Sequence, residues 1–303
     1  PFLTPYAAAL TQRALEPYAF GLGIRAQTER ADVDHAVLFA VYTQNTTGFL
    51  SNEELEAMLT DPRNRAADGM PWAFGLASIN FFDGYVDANG QLNAAIASSR
   101  LSALSSYFER RPDLFIGIKL AHAHQAVAFD DARYLGVYDV AARHGVPVYL
   151  HTGFTPFPQG ANTPPFYDPE GLENTIQNLP NVRFILGHVG QGDARAVEHA
   201  LSLAERYDNV FLEISALSRP FVIDEHGAPV TGGMAQLPYV VAQVAARGLV
   251  DKTLFGSDGP QSAGMVARYT TLVESTLEQA GYTPDEVHAV MAGNFARVFS
   301  LEN

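Results

Sequence analysis

Three short apolar runs in this chain each end in a residue able to bind a metal ion or move a proton. Pro147 to Gly153 (PVYLHTG) ends in His151, Phe184 to Gly190 (FILGHVG) in His188, and Thr253 to Gly259 (TLFGSDG) in Asp258. A glycine follows each of them closely. A fourth run, Phe115 to Leu120 (FIGIKL), carries Lys119 near its end. Apolar runs of this length between turn formers read as strands buried on both faces. One polar residue at such a place is easily explained as a satisfied core group. Three in the same register are not. Two imidazoles and a carboxylate suit a divalent ion of the zinc or manganese type. Such an ion lowers the pKa of a bound water toward ~7, and a carboxylate beside it can take the proton.

For these side chains to meet, their strands must lie side by side and point the same way. Seven strands are expected, beginning near 36, 72, 115, 147, 183, 210 and 253. Helices are expected between them. Ser51 with Glu53 and Glu54 reads as a helix start, and Asp61-Pro62 as its stop. Gln91 to Arg110, Asp131 to His144 (capped by Gly145), Asp193 to Arg206 and Gln236 to Arg247 follow. Pro5 to Ala14 carries a weak helical pattern. Regular alternation of strand and helix gives a parallel sheet covered by helices. No glycine-rich phosphate loop follows the first strand, so a dinucleotide-binding sheet has no support.

The fold class expected is α/β, a single (β/α)8 TIM barrel domain over residues 1–303. Catalytic groups of such barrels sit at the C-terminal ends of strands, which brings Lys119, His151, His188 and Asp258 to one rim. A closed barrel needs eight strands. The sequence as given starts at Pro1, and the first strand is expected upstream of it.

The composition of 303 residues, 47% hydrophobic and 17% charged, is that of a globular protein. The net charge of −14 argues against nucleic acid or an anionic membrane as a partner, because no basic surplus exists to neutralise phosphates. A small-molecule substrate is expected, in a cytoplasmic enzyme. The absence of cysteine excludes disulfides and thiolate metal sites.

The segment 154–169 is a long loop with four aromatics and five prolines, including Phe154. It reads as a wall or lid of a substrate pocket. His144, His199 and His288 read as surface residues on helices, and His35 and His226 as solvated. A buried Glu213 needs a partner and would support the site from behind. Arg219 could bind a substrate carboxylate in bidentate fashion, or lie on the surface. His122-Ala123-His124 is the one His-x-His pair in the chain. It reads as lining the pocket rather than ligating metal.

The motifs IKL (118–120), YLHTG (149–153), ILGHVG (185–190), LFGSDGP (254–260) and GNFARVF (293–299) resemble the amidohydrolase superfamily. They look most like its amidohydrolase-related branch, which includes aminocarboxymuconate semialdehyde decarboxylase. The resemblance runs from about Ala31 to Phe299, and its specificity lies in the order of the motifs at successive strand ends. It implies that His151 on the fifth strand is a metal ligand. It implies that Asp258 on the eighth is a metal ligand that also manages the water's proton. His188 on the sixth becomes the acid/base, the carbonyl-polarising group or a second-metal ligand. The family's first strand carries a His-x-His or Glu-x-His pair, which has no match here. Lys119 lies where binuclear relatives carry a carbamylated, metal-bridging lysine. The reading preferred is a lysine that binds a substrate carboxylate or a neighbouring aspartate.

The function expected is a metal-dependent hydrolase, with zinc first and manganese second, acting on an ester, lactone or amide bond of a small organic acid. The alternative is a metal-dependent non-oxidative decarboxylase of an unsaturated or aromatic carboxylic acid. A metal-free barrel or binding protein is the third reading. Lys119, Arg219 and Phe154 are the substrate-binding candidates. The resemblance also raises a homodimer.

Overall fold

The computed structural model describes residues 16–19, 23–155, 157 and 159–301. The helical pattern read at Pro5 to Ala14 lies outside the described residues. Among the described residues nine strands are present: β1 (Ala36–Phe39), β2 (Val41–Thr43), β3 (Gly48–Leu50), β4 (Ala73–Ala77), β5 (Phe115–Leu120), β6 (Val148–Gly153), β7 (Phe184–Gln191), β8 (Val210–Glu213) and β9 (Thr253–Leu254). Seven form one parallel sheet in the order β1-β4-β5-β6-β7-β8-β9. Helices connect its neighbours, as the alternating pattern required. This is the (β/α)8 architecture with seven of its strands among the described residues.

The alternation of side chains explains why both faces are buried. In β6, Val148 and Leu150 join the layer between sheet and helices, while Tyr149 joins a second cluster inside the barrel with Phe74, Leu76, Ile116, Ile185 and Leu254. The strand registers carry this alternation around the sheet. Leu150 pairs with Leu186 and Leu186 with Leu212. All three are fully buried on the outer side, each worth roughly 1.5–3 kcal/mol of apolar burial. The next row reads His151, Gly187, Glu213, Leu254. Its side chains turn inward at the C-terminal end of the barrel, because successive residues of a strand face opposite sides.

Several boundaries differ from expectation for local reasons. The run Ala36 to Tyr42 is not one strand. It breaks at Ala40, and Val41–Thr43 turns back on Gly48–Leu50 as an antiparallel hairpin, closed by Thr43 Oγ1 donating to Gly48 O at 2.8 Å. The apolar run from Thr253 pairs only through Leu254. Strand β7 takes in the whole run Phe184 to Gly190 and continues to Gln191. The loop 154–169 contains a helical turn at Pro164–Tyr167 and a 3-10 turn from Pro169. Ser51 does cap Asn52–Leu59 in a reciprocal box with Glu54. Gly145 ends the helix Gly136–His144 at φ 64°, a left-handed conformation that favours glycine.

Candidate active site

His151 lies in β6 two residues before its end, His188 lies in β7, Lys119 in β5, and Glu213 ends β8. Asp258 follows β9 by four residues, in a left-handed conformation at φ 49°. All belong to the C-terminal ends of strands in one parallel sheet. His151, His188, Lys119 and Glu213 are 2–6% exposed, which no polar side chain tolerates without a partner or a function.

The imidazoles form a row. His151 meets His188 edge to face at 4.8 Å between ring centroids and His124 edge to face at 4.6 Å. Burial pushes the pKa of both His151 and His188 well below the usual histidine value, and like-charge neighbours add to it. Burial also takes His124 down to about 4. These rings are therefore neutral at pH 7, the form that binds metal or accepts a proton. His151 Nε2 is buried and, among the described residues, has no hydrogen-bond partner.

Beneath His188 lies a buried acid. Glu213 Oε2 accepts from Tyr149 O–H at 2.7 Å, from Ser215 O–H at 2.9 Å and from the His188 backbone N–H at 3.2 Å. Ser215 Oγ stands 2.7 Å from His188 Nδ1. Two glycines make room for this network. A Cβ on Gly187 would lie 2.3 Å from the Tyr149 ring, and one on Gly256 1.6 Å from Glu213 Oε1. Burial raises the Glu213 carboxyl pKa, against the hydrogen bonds that lower it. His188 and Val189 hold φ values of 66° and 45°. Such strain at non-glycine residues persists only where the surroundings enforce it.

The Lys119 ammonium sits 3.9 Å from the Tyr149 ring centroid and 5.0 Å from that of Phe39, a cation–π cage. Among the described residues no carboxylate oxygen lies within 4.0 Å of it. Burial lowers its pKa, while Asp258 and Glu213 work against that shift. Burial likewise raises the Asp258 carboxyl, opposed by Lys119.

The remaining sequence candidates lie further out. Phe154 packs on Tyr167, 4.7 Å between centroids, in a side cluster with Ala123 and Ala196. Arg219 is exposed on the segment after β8, and its carbonyl accepts from Gln236. His124 was read as flanking the pocket, and it stands in the imidazole row. It leaves β5 on the turn His122–Gln125, and its Nδ1 is held 2.9 Å from Thr46 Oγ1 at the β2–β3 turn. The signal in the sequence was a His-x-His directly after a strand end. His144, read as surface, is half-buried and hydrogen-bonds Ser105 at 2.7 Å.

His151, His188 and Asp258 do not bring three donor atoms within 4.8 Å of one another. Among the described residues, Asp168, Glu170 and His199 do. That group lies beside the rim, on the turn after the aromatic loop and on helix Ala194–Arg206. His199 Nδ1 is 2.8 Å from Asp168 Oδ1. It makes a carboxylate/histidine arrangement able to hold a metal ion, although its histidine and aspartate already satisfy each other. At the rim, the fit to a divalent ion rests on the unpartnered His151 Nε2, a donor whose burial without a partner costs free energy unless something binds it.

A groove of about 570 Å³ runs outside the barrel between helices Ala94–Arg110 and Gly136–His144. Another of about 240 Å³ lies at the N-terminal ends of β5 and β6. Neither is lined by the imidazoles. The rim is identified by its buried, convergent titratable groups, His151, His188, Lys119 and Glu213.

The sequence matches the family described as amidohydrolase over residues 101–301. The chain belongs to the amidohydrolase family. Among curated proteins none matches it. Solved structures similar to this amidohydrolase include a TIM-barrel protein from Bordetella bronchiseptica, 16% identical, with a TM-score of 0.64 over 96% of this chain and 89% of that one. 2,6-Dihydroxybenzoate decarboxylase from Rhizobium is 12% identical, with a TM-score of 0.63 over 99% and 94%. A candidate 2-pyrone-4,6-dicarboxylic acid hydrolase from Pseudomonas putida is 15% identical, with a TM-score of 0.58 over 97% and 94%. These likenesses establish the TIM-barrel fold of the amidohydrolase. No helix among its described residues is long and apolar enough to cross a membrane.

Proposed function

We propose that this amidohydrolase is a metal-dependent hydrolase of an ester, lactone or amide bond in a small organic acid. It acts as one domain spanning residues 1–303, in the cytoplasm and as a homodimer. The observation that carries the reading is the buried, unpartnered Nε2 of His151, with a neutral His188 beside it. His151 and Asp258 would hold a divalent ion, zinc before manganese. When bound, that ion supplies Lewis-acid activation of water and of the substrate carbonyl.

The chain's own residues do the rest. His188 takes a proton from the attacking water and returns it to the leaving oxygen or nitrogen. Asp258 orients the water. Lys119, with no ionic partner within 4.0 Å among the described residues, neutralises the substrate carboxylate. Arg219 and Phe154 contribute at the pocket's edge.

The second reading is non-oxidative decarboxylation of an unsaturated or aromatic acid. It is supported by the likeness in fold to 2,6-dihydroxybenzoate decarboxylase.

The test is metal per chain by elemental analysis, followed by assays of lactones and unsaturated acids for ring opening against carbon dioxide release. About one ion per chain is expected, falling in His151→Ala and in Asp258→Asn. Unchanged metal content in both variants would overturn the ligand assignment. Carbon dioxide release would select the decarboxylase.

A further inference from the structure

We propose that Ser215 and Glu213 are positioning residues that hold His188 in its Nδ1–H tautomer, leaving Nε2 as a bare proton acceptor. The inference deepens the reading of His188 as the proton-moving residue and rests on it.

The hydrogen count decides the tautomer. Glu213 Oε2 accepts from the Tyr149 hydroxyl and from the His188 backbone N–H. The third group on that oxygen is the Ser215 hydroxyl, at 2.9 Å. A serine hydroxyl has a single hydrogen, and the carboxylate oxygen takes it. Only lone pairs then remain on Ser215 Oγ for His188 Nδ1, 2.7 Å away. Nδ1 must therefore donate. A neutral imidazole carries one N–H, so Nε2 has none.

The arrangement is built into the barrel. Ser215 is fully buried and Glu213 is 6% exposed. Gly187 and Gly256 leave the space that Tyr149 and Glu213 fill. Glu213 also anchors the left-handed backbone at His188 through the N–H bond. One carboxylate thus fixes both the main chain and, through Ser215, the ring of the same residue.

The consequence is an order of proton steps. A bare Nε2 must take a proton before it can give one. Hydrolysis begins that way: a water O–H bond breaks and the proton goes to Nε2. The electron pair left on oxygen forms the new bond to the carbonyl carbon as the C=O π pair moves onto the carbonyl oxygen. When that pair re-forms the C=O bond, the bond from carbon to the leaving oxygen or nitrogen breaks, and the proton passes from Nε2 to the leaving atom. Protonating a substrate carbon, as decarboxylation requires, would have to start from a protonated Nε2.

Long-range proton–nitrogen correlation spectra of the full chain labelled with ¹⁵N-histidine test this without substrate. The His188 signals are assigned by their loss in His188→Gln. A protonated Nδ1 with an unprotonated Nε2 is expected. Ser215→Ala should lose the single tautomer and give a mixture. Glu213→Gln keeps an acceptor oxygen and should retain it. An Nε2–H tautomer in the wild type, or an unchanged Nδ1–H in Ser215→Ala, would overturn the proposal. If Ser215→Ala does not fold, the wild-type spectrum alone decides the tautomer. Because no turnover is measured, the result is independent of whether lactones prove to be substrates.

Discussion

The imidazole of His124 meets that of His151 edge to face, with 4.6 Å between the ring centroids. His124 lies on the turn that follows β5, and His151 lies in the adjacent strand β6. His124 is also fastened from above, since Thr46 at the β2–β3 turn holds its Nδ1.

His124→Ala should loosen that turn and open the wall of the site. The expected result is a KM about tenfold higher, ~1.4 kcal/mol of binding, with bound metal unchanged. Steady-state kinetics and metal analysis of the same preparation check it. Loss of the ion would make His124 a ligand.

His188→Ala should lower kcat by roughly 10²–10⁴, the range for a lost acid/base group, with metal retained. Kinetics beside elemental analysis decide this. Loss of one ion of two would establish a binuclear site.

The neutral histidines predict acid sensitivity. Burial lowers His122 to about 4 in the folded state, against about 6.5 unfolded. Between these values the unfolded chain binds more protons, so stability rises with pH there. It is complete above pH 6.5 and is lost progressively as pH falls toward 4. For a fully buried group the loss is roughly 3 kcal/mol at 1.36 kcal/mol per pKa unit. His124, His151 and His188 shift in the same direction and steepen the fall. Urea unfolding at pH 7 and pH 5 should show it, and His122→Phe should show a shallower fall than the wild type. Equal slopes would contradict the assignment.

Gly256→Ala drives a methyl group into Glu213 Oε1. A loss of about 1–3 kcal/mol is expected, the usual cost of overpacking. In a Glu213→Ala background the clash is gone, so the two losses should add to less than their sum. Additive losses in urea unfolding would mean that the glycine has another purpose.

Much of this was legible beforehand. Alternating apolar runs located the seven sheet strands, because a strand covered on both faces is apolar along its whole length. Ser51 and Gly145 marked helix ends through chemistry that acts within a few residues. Other features depend on distant parts of the chain. Nothing in Phe39-Ala40-Val41 signals a break, since all three suit a strand. The turn is made by Thr43 and Gly48 beyond it. Gly187 and Gly256, ahead of His188 and Asp258, are visible in the sequence, but their purpose is room for Tyr149 and Glu213, which lie 64 residues apart. His124 is 27 residues from His151 in sequence, and only the pairing of β5 with β6 brings them together.

The row His151, Gly187, Glu213, Leu254 ties the site to the chain's count. Deleting Gly187 would exchange the inner and outer faces of the β7 residues ahead of His188. Ile185 would point at the helices, and a leucine would arrive where Tyr149 needs emptiness. The segment 154–168 carries no such phase, because its residues join strands rather than pair within them. Natural or engineered variants of this amidohydrolase should therefore differ in length within that segment, and keep the spacing from Tyr149 to His151 and from Ile185 to His188 unaltered.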